Sequence, residues 1–477
     1  MDNQQVTRSN GRHRSLRPAR RLSLRRSTPA EADAPARISP RTARRRRGIA
    51  PRAAQAEPRR SAALDPWLRA QAINVSRHAE ALRSFQRDEF GVDAAAPTEA
   101  HVQAANALIE SLRKRLLRLS ERVVQAAEEA RLEPTTAALQ RTLVAKERAH
   151  DWVRAVERVW DFYFELFGQR QSRYADWLLS CDRIAQDCYQ VAYRGIATNR
   201  SIPTPPPFSY MRTGFSPATF RRFIPLRRLG RQLNPFPLIQ LPYHRLVNPW
   251  TLGAVLHEVS HNLQNDLGLA RTIPRSIARN LLEAGLPPSV AAVWTRWNRE
   301  IYADLSGLLL GGPAIVASLM DVVGRAPDTT KTYMSTGPHP TPYLRVLIST
   351  ECLSRMGHPE NAREFRQAWM HCYPNPRAGS IPRVLLDTFP AACRIVVDTI
   401  AFRPYPELGN RSLAQVMNFE AKDEHMIEEA AQRLARGIDP GIIPERFLIG
   451  AARVALDHQL APPKAITENF YKELARR

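Results

Sequence analysis

The sequence predicts a mainly α-helical protein with one small β element, long-helix regions on either side of it, and a disordered basic tail in front. Three observations carry this. The runs AANALIESLRKRLLRLSERVVQAAEEARL and ERAHDWVRAVERVWDFYFELF repeat apolar residues at three- and four-residue spacing, and no Gly or Pro interrupts them. Long antiparallel helices are the natural outcome. At Ser201–Phe220 the composition shifts abruptly to proline clusters, which mark a linker or an ordered irregular loop. Beyond it, helical patterns resume between Pro and Gly punctuation to the end of the chain.

In order along the chain, residues 1–62 form an Arg-rich tail. Residues 1–60 hold 17 arginines, no lysine and four acids, so much of the formal charge of +23 resides there. Without a sustained apolar run this segment cannot offset the entropy of ordering, and disorder is expected. A solvated polycation, a contact for nucleic acid or another anionic surface, and a transit segment all fit its composition. It lacks the apolar middle of a secretory signal. Residues 63–200 form a helical region, in which His101 and His150 stand beside charged neighbours and read as surface residues. Residues 201–350 form a central region, and 351–477 a C-terminal helical region packing on it.

Five cysteines with no CxxC pair suit a reducing compartment, and a cytoplasmic location is expected. Cys181 and Cys188 read as core. The apolar stretch LSGLLLGGPAIVASLMDVV approaches membrane-spanning length, but its GGP break and Asp304 just before it predict two buried helices. Leu238–Leu241 and Tyr243–Val247 look β-like, and Pro237 and Pro242 confine such a segment to a sheet edge.

Asn248-Pro249 then predicts a helix start, with Asn as N-cap and Pro in the first helical position. The helix runs from Pro249 to about Asp266 and carries LHEVSHNLQND. His257 and His261 are four residues apart, so both imidazoles project from one face. Two nitrogens so placed can bind one zinc ion, with Glu258 beside it as general base. A catalytic zinc also needs a third protein ligand and an open position. The run VWTRWNREIYADLSGLLLGG, opened by Pro287-Pro288 and closed by Gly311-Gly312, supplies a second helix. On it Glu300 and Asp304 are again one turn apart, and no other acid lies between Glu283 and Asp321. Two carboxylates among apolar residues are costly to bury without a cation or partner. A metal with its histidine would meet that need; pairing with Arg296 or Arg299 would serve as well.

HEVSH followed downstream by EIYAD resembles the gluzincin metallopeptidases, the thermolysin-like group with HExxH and ExxxD. The matched motifs span roughly residues 236–345, and the step from His261 to Glu300 is longer than in thermolysin itself. The resemblance implies a zincin-like catalytic core in 201–350 with one Zn2+ held by His257, His261 and Glu300. It makes Glu258 the base, Asp304 the residue that orients His257, and a peptide or protein the substrate. It also gives His339, in GPHPTPYLRV, the part of oxyanion stabiliser. Tyr243, His244, Tyr343 and Arg345 are candidates for lining the cleft. The expected function is therefore a zinc-dependent hydrolase, most simply a metallopeptidase. The alternative is a nucleic-acid-associated or scaffold protein with a structural or vestigial metal site.

Overall fold

The amphipathic runs become a helical layer. The computed structural model describes residues 61–196 and 198–477, so the expected tail lies outside the described residues up to Arg60. Helices α1 (Leu64–Ala81), α2 (Glu99–Leu132) and α3 (Thr136–Gly168) pack together, and α4 (Ala175–Gly195) leads inward. The Thr135 side chain accepts from the Ala138 N–H and so caps α3. Phe85 and Phe90 pack edge to face with each other and with Phe167, which in turn meets Phe208 edge to face and stacks on Phe236, sealing this layer onto the β element. Arg170 is buried at the same seam. It donates to the Ser209 carbonyl at 2.7 Å, pairs with Asp182 at 2.7 Å and lies over the Phe208 ring.

The proline-rich stretch is more ordered than its composition suggests. It contains β1 (Phe208–Met211) and β2 (Ala218–Phe220), which flank β3 (Leu238–Leu241). β1 runs parallel to β3 and β2 antiparallel to it. Leu238–Leu241 is thus the central strand and not an edge, because Pro237 and Pro242 bracket the strand and remove no donor from within it. Tyr243–Val247 is not β either. With Pro242 extended just ahead of it, it forms the short helix α5.

Twelve further helices follow among the described residues. They are α6 (Gly253–Asp266), α7 (Leu269–Glu283), α8 (Pro288–Gly311), α9 (Pro313–Val323), α10 (Pro327–Thr330) and α11 (Pro342–Arg355). α12 (Pro359–Cys372) and α13 (Arg383–Val397) precede a two-stranded turn of β4 (Pro404–Tyr405) and β5 (Arg411–Ser412). Then come α14 (Leu413–Met417), α15 (Ala421–Ala435), α16 (Phe447–Asp457) and α17 (Pro463–Arg476). Residues Ser61–Arg477 form one compact unit, and one hydrophobic core extends from Leu178 to Leu474. Cys181 and Cys188 lie in that core, as expected.

α6 and α8 occupy its centre. α8 buries Trp294, Trp297, Ile301, Leu305, Leu308 and Leu309, each worth roughly 1.5–3 kcal/mol of apolar burial. The stretch that approached membrane-spanning length is split between α8 and α9. No helix among the described residues is long and apolar enough to cross a membrane. Gly312 makes the split with φ +70°, and a Cβ there would lie 2.1 Å from the Phe419 ring. Arg446 then takes the Leu310 carbonyl at 2.8 Å while its guanidinium holds Asp187.

His101 departs from its surface reading. It is 3% exposed, because it shares the buried stripe of α2 with Val102, Ala105 and Ile109. Its Nε2–H donates to the Pro206 carbonyl at 3.0 Å and its Nδ1 accepts from the Thr98 hydroxyl at 2.7 Å. Burial holds its pKa down to about 4. Between pH 6.5 and about 4 the unfolded chain takes up a proton that folded His101 refuses, so stability falls with pH. The loss attributable to this residue should total about 3 kcal/mol. Urea unfolding at pH 7 and pH 4.5 of the wild type and His101→Gln checks it. Equal losses in the two proteins would mean that His101 is not a buried neutral group.

Candidate metal centre

α6 begins later than the sequence suggests. Asn248 does not cap it: its side-chain amide donates back to the His244 carbonyl at 2.8 Å, at the end of α5. Pro249–Thr251 make a 3-10 turn, and the α-helix proper starts at Gly253. A Cβ on Gly253 would meet the Ser318 hydroxyl of α9 at 2.7 Å, so the two helices touch where α6 begins. Further along, the Asn262 amide donates to the Thr219 hydroxyl on β2 at 2.8 Å, and the Tyr189 hydroxyl to Asp266 at 2.8 Å. These contacts fix the rotation of α6 against the sheet and α4.

With that rotation set, His257 and His261 point the same way. Their rings are nearly perpendicular with Nε2 atoms 3.1 Å apart. Glu300 of α8 faces both, with Oε2 3.5 Å from His257 Nε2 and Oε1 3.6 Å from His261 Nε2. A tetrahedron with bonds of about 2.1 Å has edges of about 3.4 Å, so three donors at these separations suit one zinc-sized ion. Two imidazoles and a carboxylate form a donor set that zinc accepts, as do other first-row divalent metals. Among the described residues these three form a group able to hold a metal.

Asp304, one turn after Glu300, accepts from His257 Nδ1–H at 2.8 Å. That bond leaves the His257 Nε2 lone pair directed at the shared point. The other Asp304 contact comes from α11. Arg345 grips the carboxylate with Nε on Oδ2 at 2.8 Å and Nη2 on Oδ1 at 2.7 Å. The arginines nearer in sequence do not take this part. Arg296 donates to the Gly337 carbonyl and the Tyr333 hydroxyl, and Arg299 is exposed.

The electrostatics follow from this chain of contacts. Burial raises Asp304, but Arg345 and His257 together hold it far below the usual carboxylate range. Burial likewise opposes charge on His257, yet its bonds to Asp304 and Glu300 lift it to about 10. His261 is pressed down to about 3, by burial first and then by His257. Glu300 is lowered to about 2 because the histidines outweigh its burial. Burial drives Glu258 the other way, up to about 7.

Glu258 lines a cavity of about 370 Å3 that also exposes His257, Glu300 and Asp304. His339 stands on the same wall, half exposed, with Nε2 3.2 Å from Glu300 Oε2. Of the four residues expected in the cleft, only Arg345 lines the cavity, and it is committed to Asp304. Tyr243 stacks on Trp177 outside the cavity, and His244 is also outside it, because α5 turns both away. Tyr343 is buried behind the wall, where its carbonyl accepts from the Trp369 indole. What the sequence did not reveal is the Arg345–Asp304 pair.

Removing one partner of a buried ion pair leaves a bare charge, which costs about 3 kcal/mol or more. Arg345→Met should therefore lower stability by about 3 kcal/mol in urea unfolding at pH 7. Arg345→Met combined with Asp304→Asn should recover most of that loss. A single variant that unfolds at the wild-type midpoint would show that Asp304 does not depend on Arg345.

Comparison with known proteins finds no matching family model, no matching curated protein and no matching solved structure.

Proposed function

We propose that the protein is a zinc-dependent hydrolase of the metallopeptidase type, as the resemblance to gluzincins implies. The observation that carries this is the meeting of His257, His261 and Glu300 at one point on a cavity that also exposes Glu258. A purely structural zinc is enclosed by four protein ligands. Here three donors converge, and the open cavity leaves room for water and substrate.

When bound, a zinc ion would act as a Lewis acid, polarising a carbonyl and making water a nucleophile near neutral pH. His257, His261 and Glu300 would hold it, and Asp304 would fix the ring of His257 and strengthen its donor nitrogen. Glu258 takes the proton from the attacking water and passes it to the leaving amine, so one carboxylate serves as base and then as acid. His339 reaches Glu300 from the cavity wall, and a proton on its ring would steady negative charge developing on the carbonyl oxygen. The substrate backbone has a surface to run along. β2 is an edge strand, and Ser216 and Pro217 just before it line the cavity.

Two experiments test the assignment. Glu258→Gln should retain metal by elemental analysis while hydrolysis falls by about 100-fold or more; full activity would remove Glu258 as the base. His257→Ala and Glu300→Ala should lower zinc stoichiometry, and Asp304→Asn should weaken zinc affinity by about 10- to 100-fold. Undiminished zinc in the first two variants would dismiss the ligand set.

A further inference from the structure

The cavity continues past Glu258, and its far part has a chemistry of its own. One wall is a face of α9, with Ile315, Val316, Leu319, Val322 and Val323 turned inward at helical spacing. Ser318, Thr341 and Ser349 belong to the same lining, but their hydroxyl oxygens are closed off behind it, so the surface offered to an occupant along α9 is apolar.

The charges identify that occupant further. Arg345 is held by Asp304, and Glu300 faces three histidines. Arg325 also lines the cavity, and its guanidinium pairs with nothing among the described residues. Its backbone is nonetheless tied down. Its N–H donates to the Thr330 hydroxyl at 3.2 Å, and its carbonyl accepts from the Tyr373 hydroxyl at 2.8 Å. A fixed main chain thus presents an exposed, unpaired cation beside the apolar α9 wall.

We propose that this part of the cavity binds the C-terminal residue of a peptide. Its apolar side chain lies on the α9 wall and its free carboxylate on Arg325. This rests on the hydrolase reading above and gives it a direction: the bond presented to Glu258 is the last one of the chain. Hydrolysis there adds OH to the carbonyl carbon and H to the nitrogen, releasing a shortened peptide and one apolar amino acid. A fatty acid shares the apolar body and the carboxylate but brings no bond for Glu258 to help break, so the peptide is favoured.

The test reads binding, so that it stands apart from turnover. Zinc-loaded Glu258→Gln protein is titrated with dansyl-Gly-Gly-Ala-Leu as the free acid and as the C-terminal amide, followed by fluorescence anisotropy. One charge-assisted hydrogen bond predicts that the acid binds about 10-fold or more tightly than the amide. Arg325→Gln in the same background should close that gap, and dansyl-Gly-Gly-Ala-Asp should bind about 10-fold more weakly than the Leu peptide. Equal affinities for acid and amide, a gap that survives Arg325→Gln, absence of binding, or octanoate competing as well as the peptide would each overturn the proposal. Zinc content measured on the same samples reports on the metal centre separately, and failure there leaves these affinities interpretable.

Discussion

The Arg345–Asp304–His257 chain is the contact on which the centre depends. Asp304 carries a charge deep in an apolar helix, a position untenable without compensation. Arg345 compensates it with two parallel bonds, which fix the carboxylate plane as well as its charge. The fixed carboxylate then sets the ring of His257. Three helices, α6, α8 and α11, are thereby locked in relative rotation by one set of charged hydrogen bonds. Glu300, one turn from Asp304 on the same helix, inherits its position from that lock.

How the sequence reads out follows from the range of each interaction. The placement of His257 with His261, and of Glu300 with Asp304, is a property of one helical turn, so spacing alone predicts it. The bounds of α8 were legible because Pro287-Pro288 and Gly311-Gly312 act on the local backbone. Arg345 was placed in the cleft, but nothing local marks its true partner, which lies 41 residues away. His101 was judged by its neighbours in sequence, whereas burial is decided by its neighbours on the helix face.

The β element shows the same limit from the other side. A proline within a strand signals an edge, yet Pro237 and Pro242 stand outside the strand and remove nothing from the ladder. Asn248 likewise had the composition of a cap for α6 and caps the preceding helix end instead, because the chain turns through a 3-10 segment first. In each case the residue preference was sound and its address depended on tertiary contacts.

The clamp at the end of α8 has a wider consequence. The helix bearing Glu300 and Asp304 stops at a glycine pressed against Phe419, and its Leu310 carbonyl is taken by Arg446 from beyond α15. The two carboxylates are therefore anchored from the far end of the polypeptide. The centre is not a portable cassette: residues 236–345 carry every proposed ligand and Arg345, yet lack Phe419 and Arg446, which hold the end of α8. Recombination could not transplant it as a short insert, and sequence drift in the last sixty residues would be felt at the carboxylates through the helix they share.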